Sequence, residues 1–224
     1  LNCVITPSFR HIVLPLFAML LAFIGMPAQS APVPQIKIDG GPRELRDNVR
    51  QYLTIVEEPC SAPLWSLKSL LVAANDEIEK AAQALGYYQL KFTTDLAQSN
   101  ECWQLRIDLT PGEQVKVTEF NLFVRGDGAD DENFKPLITA PSIKVGDSLH
   151  HGIYENLKTQ ISTKATSEGS FNGRFDVSRV VVNAATNTAN IELIYNTGTR
   201  YRIGEIRMTH NILDEQFLRR YLNI

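Results

Sequence analysis

The sequence repeats a pattern of apolar positions, and this repeat limits the possible folds more than any other feature. The segment 111–122 is matched 86 residues later by 197–208, so that apolar residues at 115, 117, 120 and 122 align with 201, 203, 206 and 208. Upstream, Gly86 and its neighbours are echoed 83 residues later around Gly169. A repeat of this length indicates copies of one supersecondary unit. We therefore expect tandem small domains instead of one continuous domain.

The first copy, residues 32–112, has the pattern of one strand, two helices and a hairpin. Ile36 and Ile38 alternate with polar residues, and the following Gly-Gly-Pro ends this strand and opens a helix. The first helical stripe contains Leu45, Val49, Tyr52, Leu53 and Val56. The second contains Leu67, Leu70, Leu71, Ala74, Ile78, Ala82 and Leu85. Gly86 follows where a left-handed C-cap would end the second helix.

The hairpin of the first copy alternates between apolar and polar residues, which predicts one buried face. Its apolar positions are Tyr88, Leu90, Phe92 and Leu96, then Trp103, Leu105, Ile107 and Leu109. A turn is predicted over 98–100. The resulting prediction is an α+β fold of tandem β-α-α-β-β modules, in which two helices cover one face of a three-stranded mixed sheet.

The second copy, residues 113–198, repeats this order. Its long helix carries Tyr154, Leu157, Ile161 and Ala165, and its hairpin uses Phe171, Phe175 and Val177, then Ala189, Ile191, Leu193 and Tyr195. A third copy starts at 199 and enters a helix near Leu213, which carries Phe217, Leu218, Tyr221 and Leu222. Some 25 residues are too few for a core of their own. We expect this end to be poorly anchored.

Residues 1–30 have the composition of a secretory signal peptide. Arg10 and His11 precede an apolar run over 12–26, and small residues follow at 28–30. The alternative is a permanent inner-membrane anchor, but an apolar helix of this length spans only about 22 Å of a core about 30 Å thick. The chain has 22 basic and 25 acidic side chains without a basic cluster, which gives no footprint for nucleic acid.

Two cysteines, Cys60 and Cys102, remain after such a signal is removed. In an exported protein a disulfide between them is the first interpretation, and buried free thiols are the second. A redox or metal pair is disfavoured because the C-x-x-C spacing is absent.

The sequence carries no motif that points to catalysis or to a cofactor. The histidines His150, His151 and His210 lack ligand spacing, and the acidic segment 127–132 lacks the glycine and distal glutamate of an EF-hand. We interpret that segment as an acidic turn before a helix N-terminus. Tyr87, Tyr88, Trp103 and Phe171 are interpreted as core residues and not as a ligand platform. We expect no enzyme activity, no metal and no cofactor.

The repeated unit resembles tandem POTRA (polypeptide-transport-associated) modules, and more narrowly the N-terminal region of the TamA family. The resemblance rests on 84–89 (Ala-Leu-Gly-Tyr-Tyr-Gln), 154–158 (Tyr-Glu-Asn-Leu-Lys), 195–198 (Tyr-Asn-Thr-Gly) and 200–204 (Arg-Tyr-Arg-Ile-Gly). It implies a periplasmic arm of an outer-membrane protein assembly or translocation factor. In the full protein we expect a C-terminal membrane barrel beyond residue 224.

The resemblance also implies partners and a binding site. The expected partners are an inner-membrane-anchored TamB-like protein and unfolded outer-membrane β-barrel or autotransporter substrates. Binding would occur by strand addition at an exposed sheet edge. By family analogy that edge is the first hairpin strand of each module. The residues expected there are Tyr88, Leu90, Phe92, Phe171, Phe175 and Val177.

Two other classes fit part of the sequence. One is the POTRA region of a two-partner-secretion or division-type envelope protein, and the division type would retain the N-terminal segment as an anchor. The other is an unrelated periplasmic enzyme, which would have a cluster of polar side chains in a cleft.

Overall fold

The computed structural model describes residues 32–98, 102–205 and 220. They form two successive modules, each with a three-stranded mixed sheet and its own hydrophobic core. The predicted signal peptide, most of the turn between the first hairpin strands and the predicted helix near Leu213 lie outside the described residues. Residues 201–205, at the start of the predicted third copy, are not in a strand.

Module 1 contains two helices and three strands. Its elements are β1 (Gln35–Asp39), α1 (Arg43–Tyr52), α2 (Leu64–Ala84), β2 (Lys91–Gln98) and β3 (Trp103–Thr110). The sheet order is β1-β3-β2, with β1 parallel and β2 antiparallel to the central strand.

Module 2 repeats this arrangement with a shorter first helix. Its elements are β4 (Lys116–Arg125), α3 (Lys135–Thr139), α4 (His151–Ser167), β5 (Arg174–Asn183) and β6 (Thr188–Asn196). The sheet order β4-β6-β5 again places the last strand in the centre. The predicted α+β fold of β-α-α-β-β modules is confirmed.

The core of module 1 follows the predicted stripes except at the end of the first helix. Leu45, Val49 and Leu53 are buried, but Tyr52 is 43% exposed and Val56 is 37% exposed. The α-helix ends at Tyr52, Leu53 is extended, and a 3₁₀ turn over Thr54–Glu57 follows. This break in the helical period turns Ile55 into the core, where it is fully buried.

The disulfide expected from the sequence is present in module 1. Cys60 and Cys102 are bonded, with their Cα atoms 4.4 Å apart. The indole N–H of the buried Trp103 donates to the Pro59 carbonyl at 3.1 Å, beside the disulfide. The bond therefore ties the segment before α2 to the start of the central strand.

The two long helices end in the same way. The amides of Gly86 and Tyr87 donate to the carbonyls of Gln83 and Ala82, each at 2.9 Å. In module 2 the amides of Gly169 and Ser170 bond to the equivalent carbonyls of α4. Both glycines have a positive φ, 84° and 88°, as a Schellman cap requires.

Within the described part of the chain, no helix is long and apolar enough to cross a membrane.

Candidate polypeptide-binding edges

The first hairpin strand of each module lies at an edge of its sheet. Strand β2 pairs only with β3, and β5 pairs only with β6, within the described ranges. The outward-facing N–H and C=O groups of an edge strand are open to another extended chain. Strands β2 and β5 are therefore the candidate sites for strand addition.

The opposite edges, formed by β1 and β4, are partly occupied. On β1 the Arg50 guanidinium donates to the Ile36 carbonyl at 2.8 Å. On β4 the segment 146–149 runs alongside the start of the strand: the Leu149 amide donates to the Val115 carbonyl at 2.8 Å, and the Val117 amide to the Asp147 carbonyl at 2.9 Å. A further chain has fewer free backbone groups available there.

The β2 edge is straight and polar on its outer face. Its register with β3 runs over eight residue pairs without a shift. Phe92 and Leu96 are half-buried and pack against the core of module 1, whereas Thr93 and Asp95 are exposed on the other face. The neighbouring strands continue that outer face with charged residues, among which Arg106 pairs with Asp108 at 3.1 Å.

The β5 edge is longer and contains a β-bulge. The register with β6 shifts between Phe175 and Val177, so that Asp176 is the extra residue. The carboxylate of Asp176 accepts from Arg125 on β4 at 2.5 Å and lies 3.4 Å from Arg174. The hydrogen bond from Arg125 lowers the pKa of Asp176, against the effect of burial. The bulge is thus anchored by a charged contact across the sheet.

The bulge reverses the predicted orientation of Val177. Beyond it, Val177 pairs with Ile194 on the outer face, whereas Phe175 pairs with the buried Tyr195 on the core side. The core side continues at Ser178, whose hydroxyl contacts the Tyr154 hydroxyl of α4 at 2.8 Å. The expectation that Phe175 and Val177 share one face was wrong, because alternation does not continue across an inserted residue.

Three of the six predicted site residues lie outside the edge strands. Leu90 and Tyr88 precede β2, and Phe171 precedes β5. Only Phe92, Phe175 and Val177 are in an edge strand. The elements begin later than predicted because each Schellman cap is followed by a turn before the strand, which apolar alternation alone does not show.

Tyr88 packs against the core of module 2, not that of module 1. Its hydroxyl lies 2.8 Å from Nε2 of His151, the first residue of α4. Burial raises the pKa of Tyr88 and lowers the pKa of His151. Tyr88 is therefore a contact between the modules, which corrects its prediction as a hairpin residue facing its own sheet.

Phe171 occupies the position of Tyr88 in the second repeat, but it is 65% exposed. Its ring lies 5.9 Å from that of Tyr201. The interpretation of Phe171 as a core residue was wrong for the described chain, whereas Trp103 is fully buried as predicted.

The acidic segment 127–132 and His150 each have a structural role at the start of a helix. The Asp131 carboxylate accepts from the Asn133 amide at 2.9 Å at the start of a 3₁₀ helix, and this bond lowers the pKa of Asp131. His150 caps α4 by accepting from the Ile153 amide at 3.3 Å. Across the described ranges, no group of three or more histidine, cysteine or acidic residues is placed to hold a metal ion.

Sequence reasoning missed three residues on the outer face of module 2. Phe123 and Val181 are each 58% exposed, and Arg179 lies on the same face. The signal was present, since 180–182 is a run of three valines that cannot all face the core of a strand.

Comparison with known proteins supports the assignment of module 1. The model of the family described as "POTRA domain TamA domain 1" matches residues 35–111, from the start of β1 to just beyond β3. This match confirms the POTRA resemblance for module 1, and module 2 repeats its element and strand order.

Several solved structures are similar to this chain at low identity. POTRA domains 3–5 of BamA from Haemophilus influenzae match at 16% identity, covering 85% of this chain and 76% of that one, with a TM-score of 0.45. POTRA domains 1–3 of Omp85 from Anabaena match at 10% identity over 73% and 60%, with a TM-score of 0.33. CdiB from Escherichia coli matches at 16% identity over 78% and 30%, with a TM-score of 0.27. This chain thus spans less than two thirds of the Anabaena and CdiB chains.

Proposed function

We propose that this chain is the periplasmic, polypeptide-binding arm of an outer-membrane protein assembly or translocation factor of the TamA type. The arm binds extended segments of unfolded outer-membrane or autotransporter substrates and docks a TamB-like inner-membrane-anchored protein. It acts by binding alone and catalyses no reaction.

The observation that carries this proposal is the unequal state of the sheet edges. Strands β2 and β5 have no neighbour on their outer side within the described chain, whereas Arg50 and the segment 146–149 occupy backbone groups of β1 and β4. An added strand gains backbone hydrogen bonds that do not depend on its side chains. Such a site suits an arm that handles many different unfolded clients.

Site-specific photo-cross-linking tests which edge is used. A photoreactive phenylalanine analogue is placed at Thr93 on β2 or at Val181 on β5, and in matched controls at Lys37 on β1 or at Asn121 on β4. All four side chains lie on the outer faces of the sheets. The probe is a labelled ten-residue peptide of alternating apolar and polar residues.

We expect cross-links from positions 93 and 181 and much weaker ones from positions 37 and 121. Equal labelling from all four positions, or none from any, would contradict strand addition at β2 and β5. Circular dichroism of each variant confirms that the modules remain folded.

A further inference from the structure

A row of apolar side chains crosses the outer face of module 2 and ends at the β5 edge. Phe123 on β4 and Val177 on β5 both pair with Ile194 on the central strand. We call these three residues the outer row. Phe123 is 58% exposed, and Ile194 and Val177 are half-buried. The row is open to solvent at the strand where the proposed function places a client.

The β-bulge places Val177 in this row. If the strand alternated regularly through Asp176, that residue would take the outer position beside Ile194 and Val177 would face the core with Phe175. The charged contact between Asp176 and Arg125 holds the inserted residue in place. A β-bulge that only prevented further strand pairing would not need to place an apolar side chain on the outer face.

A second apolar residue lies four positions further along β5. Val181 pairs with Asn190 and is 58% exposed on the same outer face. Between the two valines, Arg179 pairs with Glu192 of β6 at 2.6 Å and remains 66% exposed. A guanidinium has five N–H donors, so the pair with Glu192 leaves further donors that this contact does not use. The outer face of β5 thus carries Val177, Arg179 and Val181 in sequence.

Module 1 lacks this pattern at the equivalent place. Its β2 edge carries Thr93 and Asp95 on the outer face, and the central strand carries Arg106 and Asp108. These residues join an ion-paired surface in which Arg106 also lies 3.5 Å from Asp39. The same fold therefore stands without an outer apolar row, and the row in module 2 is not a requirement of the architecture.

We infer that the β5 edge selects extended polypeptides with an acidic residue flanked at both second neighbours by apolar residues, the pattern Φ-x-[DE]-x-Φ. This inference rests on the proposed strand addition. In an added strand, alternate side chains lie beside Val177, Arg179 and Val181, and directly opposed pairs on one face stabilise a sheet. The pattern is symmetric, so a strand bound in either direction presents it. The client of this edge is thus an extended segment of mixed apolar and acidic character.

A peptide series tests this specificity on the intact chain. Three labelled nine-residue peptides share one sequence with valine at both Φ positions and differ only at the centre, which is Asp, Asn or Lys. Fluorescence anisotropy gives each Kd, and amide chemical shifts of β5 and β2 locate the bound peptide. We expect the affinity to decrease from the Asp-centred to the Asn-centred to the Lys-centred peptide. Each pair of opposed side chains, central or flanking, should contribute up to about fivefold in Kd. We expect the chemical-shift changes to be concentrated in β5.

A charge exchange is the decisive variant. Arg179→Glu combined with Glu192→Arg keeps the cross-strand ion pair but reverses the charge at the edge. We expect this variant to bind the Lys-centred peptide more tightly than the Asp-centred one. The matched control is Val181→Thr, which keeps a β-branched side chain and should weaken all three peptides equally, by up to about fivefold.

The outcomes separate this inference from the proposed function. If the three peptides bind at β5 with equal affinity, both to the wild-type chain and to the charge-exchange variant, the selection is wrong while strand addition stands. Failure of every peptide to bind at either edge would instead overturn strand addition, and the selection with it.

Discussion

Gly86 shows how one residue serves both the fold of a module and its contact with the next. Its φ of 84° closes α2, and its carbonyl accepts from the Val115 amide at 2.9 Å. A Cβ at this position would lie 2.4 Å from the Leu149 carbonyl oxygen of module 2. The equivalent Gly169 accepts from the Tyr201 amide at 2.8 Å, with its Cβ position 2.3 Å from the Tyr201 carbonyl. Glycine is required at both positions because of backbone approach as well as φ.

We predict that Gly86→Ala destabilises the protein by more than the cost of its backbone conformation. The left-handed conformation alone costs a non-glycine residue about 1–2 kcal/mol, and the clash with Leu149 adds to it. Gly146→Ala is the matched control, since its φ is 96° and no atom lies within 4 Å of its Cβ position. Urea denaturation measures both variants. Equal losses in the two would show that the contact with Leu149 relaxes without cost.

At the scale of elements, the start of α4 joins the two modules through titratable groups. His151 lies against Tyr88 of module 1, and His150 lies 3.5 Å from Glu44 of α1. Burial lowers the pKa of His151 from its ordinary 6.5; Glu155 raises it and His150 lowers it further. Because the unfolded chain then binds a proton more readily than the folded one, the contribution of neutral His151 to stability is full above pH 6.5. That contribution decreases as the pH falls below this value toward the lowered pKa.

We predict that acidification from about pH 7 to about pH 5 destabilises the wild-type chain more than the variant His151→Gln. Glutamine keeps a polar group near the Tyr88 hydroxyl but does not titrate. Thermal denaturation across this range measures the difference between the two proteins. If their Tm values fall in parallel, other groups account for the pH dependence and His151 contributes nothing to it.

At the scale of the whole molecule, the two modules have separate cores but only one of them has a disulfide. The bond between Cys60 and Cys102 closes a loop with a sequence separation of 42 residues inside module 1. Such a loop restricts the unfolded state of module 1 and not that of module 2. The modules should therefore respond differently to its removal.

We predict that Cys60→Ser with Cys102→Ser lowers the free energy of unfolding of module 1 by about 4 kcal/mol. Fluorescence of the buried Trp103 reports unfolding of module 1, and hydrogen exchange at β6 amides reports module 2. Protection in β6 should change little. A matching loss of protection there would mean that the two modules unfold as one cooperative unit.

The predictable part of the fold came from local patterns. Periodic apolar residues such as Leu67 and Ile78 on α2, or Leu105 and Ile107 on β3, indicated the elements, because period and burial are linked along one strand or helix. The exceptions were Ile55 and Val177, where a 3₁₀ turn and an inserted residue changed the period. At the candidate site, the sequence indicated that the strands are apolar but not which side chains of β5 face outward.

By itself, the sequence determined that this chain contains repeated β-α-α-β-β units, the residues that form most of each core and the glycines that end the long helices. Only the tertiary structure decided which strands are edges, that Tyr88 belongs to the neighbouring core and that Val177, Ile194 and Phe123 form one row. The physical reason is that element identity follows from short-range periodicity. Strand order, register and contacts between modules depend on residues far apart in the chain, whose pairing no local pattern records.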